Sequence, residues 1–317
     1  MYLPYLRAKT QELLAVRDAM REIKGVRILP IIEPVSDSNS VLKSLRAITN
    51  FQLPMIFIVN PQVGKLRDES KKVSKLFDIV HSNPYLIVAL IIHSQSSIVE
   101  IKRFFSEYSS WQKSLIHEYD LSMPSKIIEE CLKQENFAHH IFIVGKTGDG
   151  YNDQFRVFQR MQIEDGFNRE QVLRNADRVP ENFYSDLHST YLSKGYAGFG
   201  DFTITGRQYS ESKWAAYAVA IHLTYRQMLN SHDQIRIMNF VSDRKVGTAD
   251  VAGKYLEAVT KLVSFARKAD SPTYHSTAVE EFVKTYKEKR FPGLAKVKGW
   301  SIRHHIELMA SIIQTAD

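Results

Sequence analysis

The chain has 317 residues, of which 44% are hydrophobic and 24% are charged. This balance is typical of a globular protein and excludes a disordered chain. The formal net charge of +7 favours acidic partners such as nucleic acid or nucleotides, although an unspecialised basic surface would carry the same charge. Cys131 is the only cysteine, which excludes an internal disulfide and a zinc site built from cysteines.

The N-terminal stretch and the longest apolar run both bear on the compartment. Arg7, Lys9 and Glu12 precede any apolar run, a pattern that is not typical of a signal peptide. The run from Leu86 to Ile92 is far too short to span a bilayer. We therefore expect a cytoplasmic protein without a membrane segment.

Apolar runs and amphipathic stretches alternate from the N-terminus to Gly145. After an extended opening and a helix that Thr10 can cap, strands are predicted to begin near Arg27, Met55, Tyr85, Lys113 and His140. Their spacing of roughly 28 residues is the length of a βα unit. Each strand is nearly continuous in apolar residues, as in parallel sheets that are covered on both faces.

The alternation stops after Gly145. Residues 146–198 are predicted to be an irregular, polar and aromatic-rich insertion, a kind of segment that often carries function. Three further strands are predicted in GFGDFTI, YAVAIHLTY and IRIMNFVSD, the second of which alternates large and small side chains with period two. Residues 252–317 are predicted to be helical.

Five βα units and three more strands add up to eight, which predicts a distorted (β/α)8-like barrel, with an open α/β sheet as the alternative. The absence of an obvious linker predicts a single domain over 1–317. Barrel closure would place the strand beginning near Arg27 and the strand ending near Val241 in one sheet. Whether the last three strands are parallel stays open, because their connections are short for a crossover.

Polar residues within or at the ends of predicted strands are the candidates for a catalytic site. Glu33 closes RILPIIE, Asp201 lies in GFGDFTI, His222 in YAVAIHLTY, and Asp243 closes IRIMNFVSD. Such groups are costly in a sheet unless they are paired or exposed. Acids that converge at one barrel mouth would bind a divalent metal or supply an acid/base pair. Arg174, in the insertion, would instead hold Asp201 ionised.

A basic and aromatic segment near the C-terminus is a candidate nucleic-acid-binding surface. Its candidate residues are Lys287, Lys289, Arg290, Lys298 and Trp300. Cations interleaved with aromatic rings suit contact with a phosphate backbone together with stacking on bases. The alternative is a solvated basic helix whose aromatic residues belong to the core.

Six runs in order along the chain resemble the bacterial and phage "beta protein" family: YLPYLRAKTQELLAVR, ILPIIEPV, FGDFTITG, AVAIHLTY, NFVSD and FPGLAKVKGWSIRHHIEL. The resemblance is to a bacterial branch that opens with a Tyr-Pro-Tyr-Leu-Arg pattern. Positions that match the family pattern are Tyr5, Arg7, Glu12, Glu33, Arg174, Asn175, Asp186, Gly200, Asp201, His222, Asp243, Ser301, His304 and His305. Ala8 and Ala295 stand where the pattern has glycine.

The resemblance implies a barrel-like fold, no established activity, and an occurrence in phages and in defence-associated gene neighbourhoods. Two functional hypotheses follow from it and from the residues. The first is a hydrolase of phosphodiester bonds in nucleic acid or nucleotides, assisted by a divalent metal. The second is a non-catalytic subunit of an anti-phage module that binds nucleic acid or a protein partner encoded nearby.

Overall fold

Eight parallel strands close into a barrel in the computed structural model, which describes residues 1–23, 26–167, 180–210 and 217–314. The barrel strands are β1 (Tyr2–Leu6), β2 (Ile31–Ile32), β3 (Met55–Ile58), β4 (Leu86–Ile92), β5 (Gln112–His117), β6 (Phe137–Ile143), β7 (Arg160–Glu164) and β9 (Gly198–Asp201). Strand β9 pairs in parallel with both β7 and β1, which completes the ring. The predicted (β/α)8-like barrel is therefore confirmed.

Helices follow the barrel strands along the chain. They are α1 (Thr10–Glu22), α2 (Asn39–Asn50), α3 (Ser70–Val80), α4 (Ile98–Glu107), α5 (Pro124–Leu132) and the short α6 (Asp149–Asn152), which continues into a 3-10 turn over Asp153–Phe155. Apolar residues at helical spacing form their buried faces. Local signals set their ends, since the Ser97 hydroxyl accepts a hydrogen bond from the Glu100 N–H and Pro124 begins α5.

Strand register decides which side chains face the inside of the barrel. The ring of Phe155 packs against His117, His140 and Phe142. Because helical segments surround a closed parallel barrel, this face of β5 and β6 is the outside. Following the pairing around the ring places Tyr2, Phe199 and Asp201 outside as well, and it assigns the following residues to the inside: Leu3, Tyr5, Ile31, Ile141, Met161, Ile163, Gly198 and Gly200.

A second, antiparallel sheet has the strand order β10-β11-β8, with β8 over Glu181–Ser185, β10 over Ala220–Leu229 and β11 over His232–Val241. Asn230 and Ser231 both have positive φ and form the two-residue turn between β10 and β11. Four further helices are α7 (Leu187–Thr190), α8 (Val251–Ala266), α9 (Thr277–Lys287) and α10 (Leu294–Gln314). Apolar residues of β10 pack with those of α8, α9 and α10 in one core.

The chain divides into two compact units. One comprises Met1–Leu13, Arg27–Glu164 and Thr190–Asp201 and holds the barrel strands. The other comprises Leu14–Val26, Asp165–Ser189 and Phe202–Asp317 and holds the antiparallel sheet with α8, α9 and α10. The single domain expected from the sequence stays a prediction.

Two of the eight strands that were predicted for the barrel belong elsewhere. YAVAIHLTY and IRIMNFVSD contribute β10 and β11, an antiparallel hairpin, so the prediction that β2 and the strand ending at Val241 share a sheet was wrong. The barrel is completed instead by β1 and β7. Both are short and carry polar side chains or proline, YLPYL and RMQIE, which is why periodicity did not distinguish them from loop.

Candidate functional site

A buried cluster of polar side chains lies where β1 and β2 end. Arg7 directly follows β1 and Glu33 directly follows β2, and both are buried. The Tyr5 hydroxyl donates a hydrogen bond to Glu33 Oε2 at 2.8 Å, and the Arg7 guanidinium forms an ion pair with the same oxygen. The backbone N–H of Gln62 donates to the other oxygen, Oε1, at 2.7 Å. Glu33 is thus an anion whose two oxygens are both engaged.

Tyr5 and Glu12 also contact Arg7. Its guanidinium carbon lies 4.8 Å from the centre of the Tyr5 ring, a cation–π distance. Its backbone N–H donates to Glu12 Oε2 at 2.7 Å, and Glu12 lies in the first turn of α1, where a negative charge is favourable. Ala8, at the position after Arg7, has a φ of 47° and turns the chain from β1 towards α1. We name Tyr5, Arg7, Glu12 and Glu33 the Arg7 cluster.

The Arg7 cluster lies at the carboxyl end of the barrel. Asn60, His93 and Glu118 follow β3, β4 and β5 at the same end, and each is half-buried. The Asn60 side chain extends the pairing of β3 and β4, because it accepts from the Ile91 N–H at 2.7 Å and donates to the Ile91 carbonyl at 2.9 Å. This end of a (β/α)8 barrel is where active sites are built.

Asp201, predicted to join Glu33, lies on the other face of the wall. The Tyr2 hydroxyl donates to Asp201 Oδ1 at 3.0 Å, and the Tyr2 ring lies 5.6 Å from that of Phe199. Burial, and then the charge of Asp201, raise the pKa of the Tyr2 hydroxyl. Asp201 is therefore placed with the outward-facing side chains and away from the Arg7 cluster.

His222 and Asp243 belong to the unit with the antiparallel sheet. His222 Nδ1 lies 2.7 Å from Asn239 Oδ1, and its ring contacts that of Phe167 at 5.0 Å. Burial lowers the pKa of His222 to about 4, so the ring is neutral at physiological pH. The Asp243 side chain is 73% exposed and forms an ion pair with Lys261. Arg174 lies outside the described residues.

The divalent metal suggested by the sequence has no donor set in the described part of the chain. No group of three or more histidine, cysteine, aspartate or glutamate side chains there is arranged to hold a metal ion. This agrees with the placement of Glu33 inside and Asp201 outside the barrel wall, since a metal needs its ligands on one side.

The basic segment separates into exposed cations and one buried ring. Lys287, Lys289, Arg290 and Lys298 are exposed, and Arg290 pairs with Glu288 at 2.9 Å. Trp300 is only 7% exposed and packs edge-on against Phe282, with ring centres 5.2 Å apart. Trp300 is thus a core residue, and its ring is not presented for stacking on a base.

Sequence reasoning did not single out Tyr5 and Arg7 as site residues. The signal that was available is the resemblance to the beta protein family, because Tyr5, Arg7, Glu12 and Glu33 are all positions that match its pattern. The fold brings these four matching positions, which are spread over two βα units, into one cluster.

No family model matches the chain, and no curated protein sequence matches it. An N-acetylneuraminate lyase from Mycoplasma synoviae, solved in two crystal forms, is 12% identical with a TM-score of 0.41, covering 63% of this chain and 68% of that chain. A putative dihydrodipicolinate synthase family protein from Coccidioides immitis is 12% identical with a TM-score of 0.41, covering 98% of this chain and 86% of that chain.

These structures carry the names of a lyase and of a synthase family. The predicted hydrolase of nucleic acid or nucleotides, and its alternative, a nucleic-acid- or protein-binding subunit of an anti-phage module, are contradicted by them. The expected binding of nucleic acid is corrected with them. Among the described residues, no helix has the length and apolar character needed to cross a membrane.

Proposed function

We propose that the protein binds a small molecule at the carboxyl end of its barrel and that Arg7 contacts this molecule. The observation that carries the proposal is the Arg7 cluster, in which a buried arginine at the end of β1 is oriented by Glu33 and Tyr5. A guanidinium presents up to five N–H donors in a fixed fork. The molecule is therefore one that offers oxygen acceptors, as a carboxylate, a phosphate or a group of hydroxyls does.

Glu33 has a positioning role in this proposal. Its Oε2 accepts from Tyr5 and Arg7 and its Oε1 accepts from the Gln62 N–H, so three of the roughly four acceptor sites of the carboxylate are used within the protein. By neutralising Arg7 it makes the burial of the guanidinium possible, and by accepting from Tyr5 it fixes the phenol beside Arg7. The half-buried Asn60, His93 and Glu118 complete the polar rim.

The test is ligand binding measured by the shift of the thermal unfolding midpoint. Wild-type protein is titrated with citrate, with inorganic phosphate and with sorbitol, which separate the three kinds of oxygen acceptor. Arg7→Lys keeps the charge but loses the planar fork. We therefore expect the affinity for the ligand to fall by about tenfold, and the shift of the unfolding midpoint to become smaller. Arg67→Lys, at an exposed position in the loop after β3, is the matched control and retains the shift.

A shift that survives Arg7→Lys unchanged would place the ligand elsewhere, and the absence of a shift with all three probes would oppose the proposal.

Membership of the beta protein family, a protein partner encoded nearby and a cytoplasmic location are proposed on the sequence alone.

A further inference from the structure

Ser276 and His304 form a hydrogen-bonded pair in the unit with the antiparallel sheet. Ser276 precedes α9 and His304 lies in the middle of α10, and both are buried. Ser276 Oγ lies 2.7 Å from His304 Nδ1. The other ring nitrogen, Nε2, lies 2.7 Å from the backbone carbonyl oxygen of Thr224 in β10.

These contacts fix the tautomer of His304. A carbonyl oxygen can only accept a hydrogen bond, so Nε2 must carry the ring proton. Burial keeps the pKa of His304 low, at about 4, so the ring is neutral and Nδ1 is an acceptor. The Ser276 hydroxyl therefore donates its proton to Nδ1. This is the arrangement of a nucleophile, a base and a third group that orients the base.

The Ser276 oxygen has a second contact, at the start of α9. The Val279 N–H donates to Ser276 Oγ at 3.1 Å, so the serine also caps α9. Ser97 caps α4 in the same way, accepting from the Glu100 N–H at 3.2 Å. The contact with His304 is thus additional to what a helix cap requires.

A surface groove of about 470 Å³ opens beside this pair, and Ser276 is among the residues that line it. Val279 and Val283 supply apolar surface to the groove. Lys284 and Lys287 are balanced in number by Glu280 and Glu288, and the remaining lining residue is His275. The groove therefore suits a small, uncharged and partly apolar molecule.

We propose that Ser276 is an acyl-acceptor site, with His304 as its base, and that the groove admits small uncharged carboxylic esters. In this step Ser276 Oγ forms a bond to the ester carbonyl carbon, and its proton passes to His304 Nδ1. The bond from that carbon to the leaving alkoxide breaks, and the alkoxide takes the proton from His304. An alcohol is released and the acyl group stays on Ser276.

The experiment uses p-nitrophenyl acetate and the full chain. We expect one acetyl group per chain by intact mass, mapped to Ser276 by peptide analysis, with release of p-nitrophenolate. Ser276→Ala should abolish this adduct, and the matched cap variant Ser97→Ala should retain it. Because His304 is neutral down to about pH 4, the acetylation rate should be flat between about pH 5 and 8.

Acetyl groups found only on lysines, or on Ser97 as readily as on Ser276, would overturn the proposal. A rate that falls between about pH 8 and 5 would show that a group other than His304, such as His275 beside Ser276, is the base. If Ser276→Ala does not fold, the adduct position in the wild-type protein decides. Failure here would leave the small-molecule site at Arg7 untouched, since that site is tested by other variants.

Discussion

Glu33 and Asp201 lie on opposite faces of the barrel wall. Glu33 is held inside by Tyr5 and Arg7, and Asp201 is held outside by Tyr2. Tyr2 and Tyr5 are three positions apart on β1, an odd number, so their side chains point to opposite sides of the strand. Two acids that the sequence presents as partners are therefore separated by the strand itself.

Replacement of Glu33 by glutamine should destabilise the protein by about 3–5 kcal/mol, because a buried Arg7 would lose its counter-charge. The measurement is the free energy of unfolding in urea at pH 7. Asp243→Asn is the matched control, because it removes an acid from an ion pair that is 73% exposed on the acid side. The control should cost less than about 1 kcal/mol. If Glu33→Gln lowered the free energy of unfolding by no more than the control does, the stability of the protein would not depend on the ion pair of Glu33 with Arg7.

Tyr2→Phe and Asp201→Asn should be coupled in a double-mutant cycle. The Tyr2 hydroxyl donates to Asp201 within the protein, so the two single changes remove one shared interaction. We expect a coupling of about 1 kcal/mol, measured by urea unfolding of the two single variants and the double variant.

The control cycle joins Tyr2→Phe with Glu33→Gln. Since these side chains are on opposite faces and have different hydrogen-bond partners, their effects should add within about 0.5 kcal/mol. Coupling in this second cycle would contradict the assignment of faces.

The sequence predicted the class of fold well because the five strands from β2 to β6 are spaced as βα units. It predicted less well which strands form the barrel, because periodicity shows that a segment is a strand but does not show which other strand pairs with it. YAVAIHLTY has the clearest period of two, yet it pairs with its own hairpin partner. β1 and β7 show weak signals, and only closure of the ring identifies them.

The candidate site shows the same limit at the level of a single residue. Glu33 was placed correctly at the end of a strand because it follows an apolar run. Asp201 also ends a strand, but Gly198 and Gly200 occupy the inward positions of β9. Asp201 follows Gly200 and must therefore face outwards. The face to which Asp201 points depends on the register of β9 with its neighbouring strands. That register is a tertiary property, which no local sequence pattern contains.

Acid should destabilise the protein through the buried histidines of the barrel. His117 lies between His140, at 2.8 Å, and the Tyr151 hydroxyl, at 3.0 Å, and its burial lowers its pKa to about 3. In the unfolded chain His117 binds a proton at about pH 6.5. Between about pH 6.5 and 3 the unfolded state thus binds more protons, so this contribution to stability is complete above pH 6.5 and is lost as the pH falls.

The measurement is the free energy of unfolding at pH 7 and at pH 5. His117→Gln should be less stable at pH 7. Its free energy of unfolding should then fall less steeply towards pH 5 than that of the wild type, and the two slopes should differ by about 1.4 kcal/mol per pH unit at most. His232→Gln, at an exposed position in the hairpin, is the control and should leave the slope as in the wild type. An unchanged slope in His117→Gln would mean that His117 is protonated in the folded protein.

Closure of the barrel should depend on the absence of a side chain at Gly200. A Cβ atom built on Gly200 would lie 2.0 Å from the backbone oxygen of Leu3 on β1 and 2.5 Å from Ile163 Cδ1 on β7. The first of these atoms belongs to the backbone of the neighbouring strand and cannot move aside without separating β9 from β1. Gly200→Ala should therefore cost about 3 kcal/mol or more by urea unfolding.

Gly150→Ala is the matched control, because a Cβ there meets nothing within 4 Å and the position lies in α6. Alanine also favours helix more than glycine does, so Gly150→Ala should be neutral or slightly stabilising. A Gly200→Ala variant as stable as Gly150→Ala would show that β9 and β1 do not approach each other as closely as the closed ring requires.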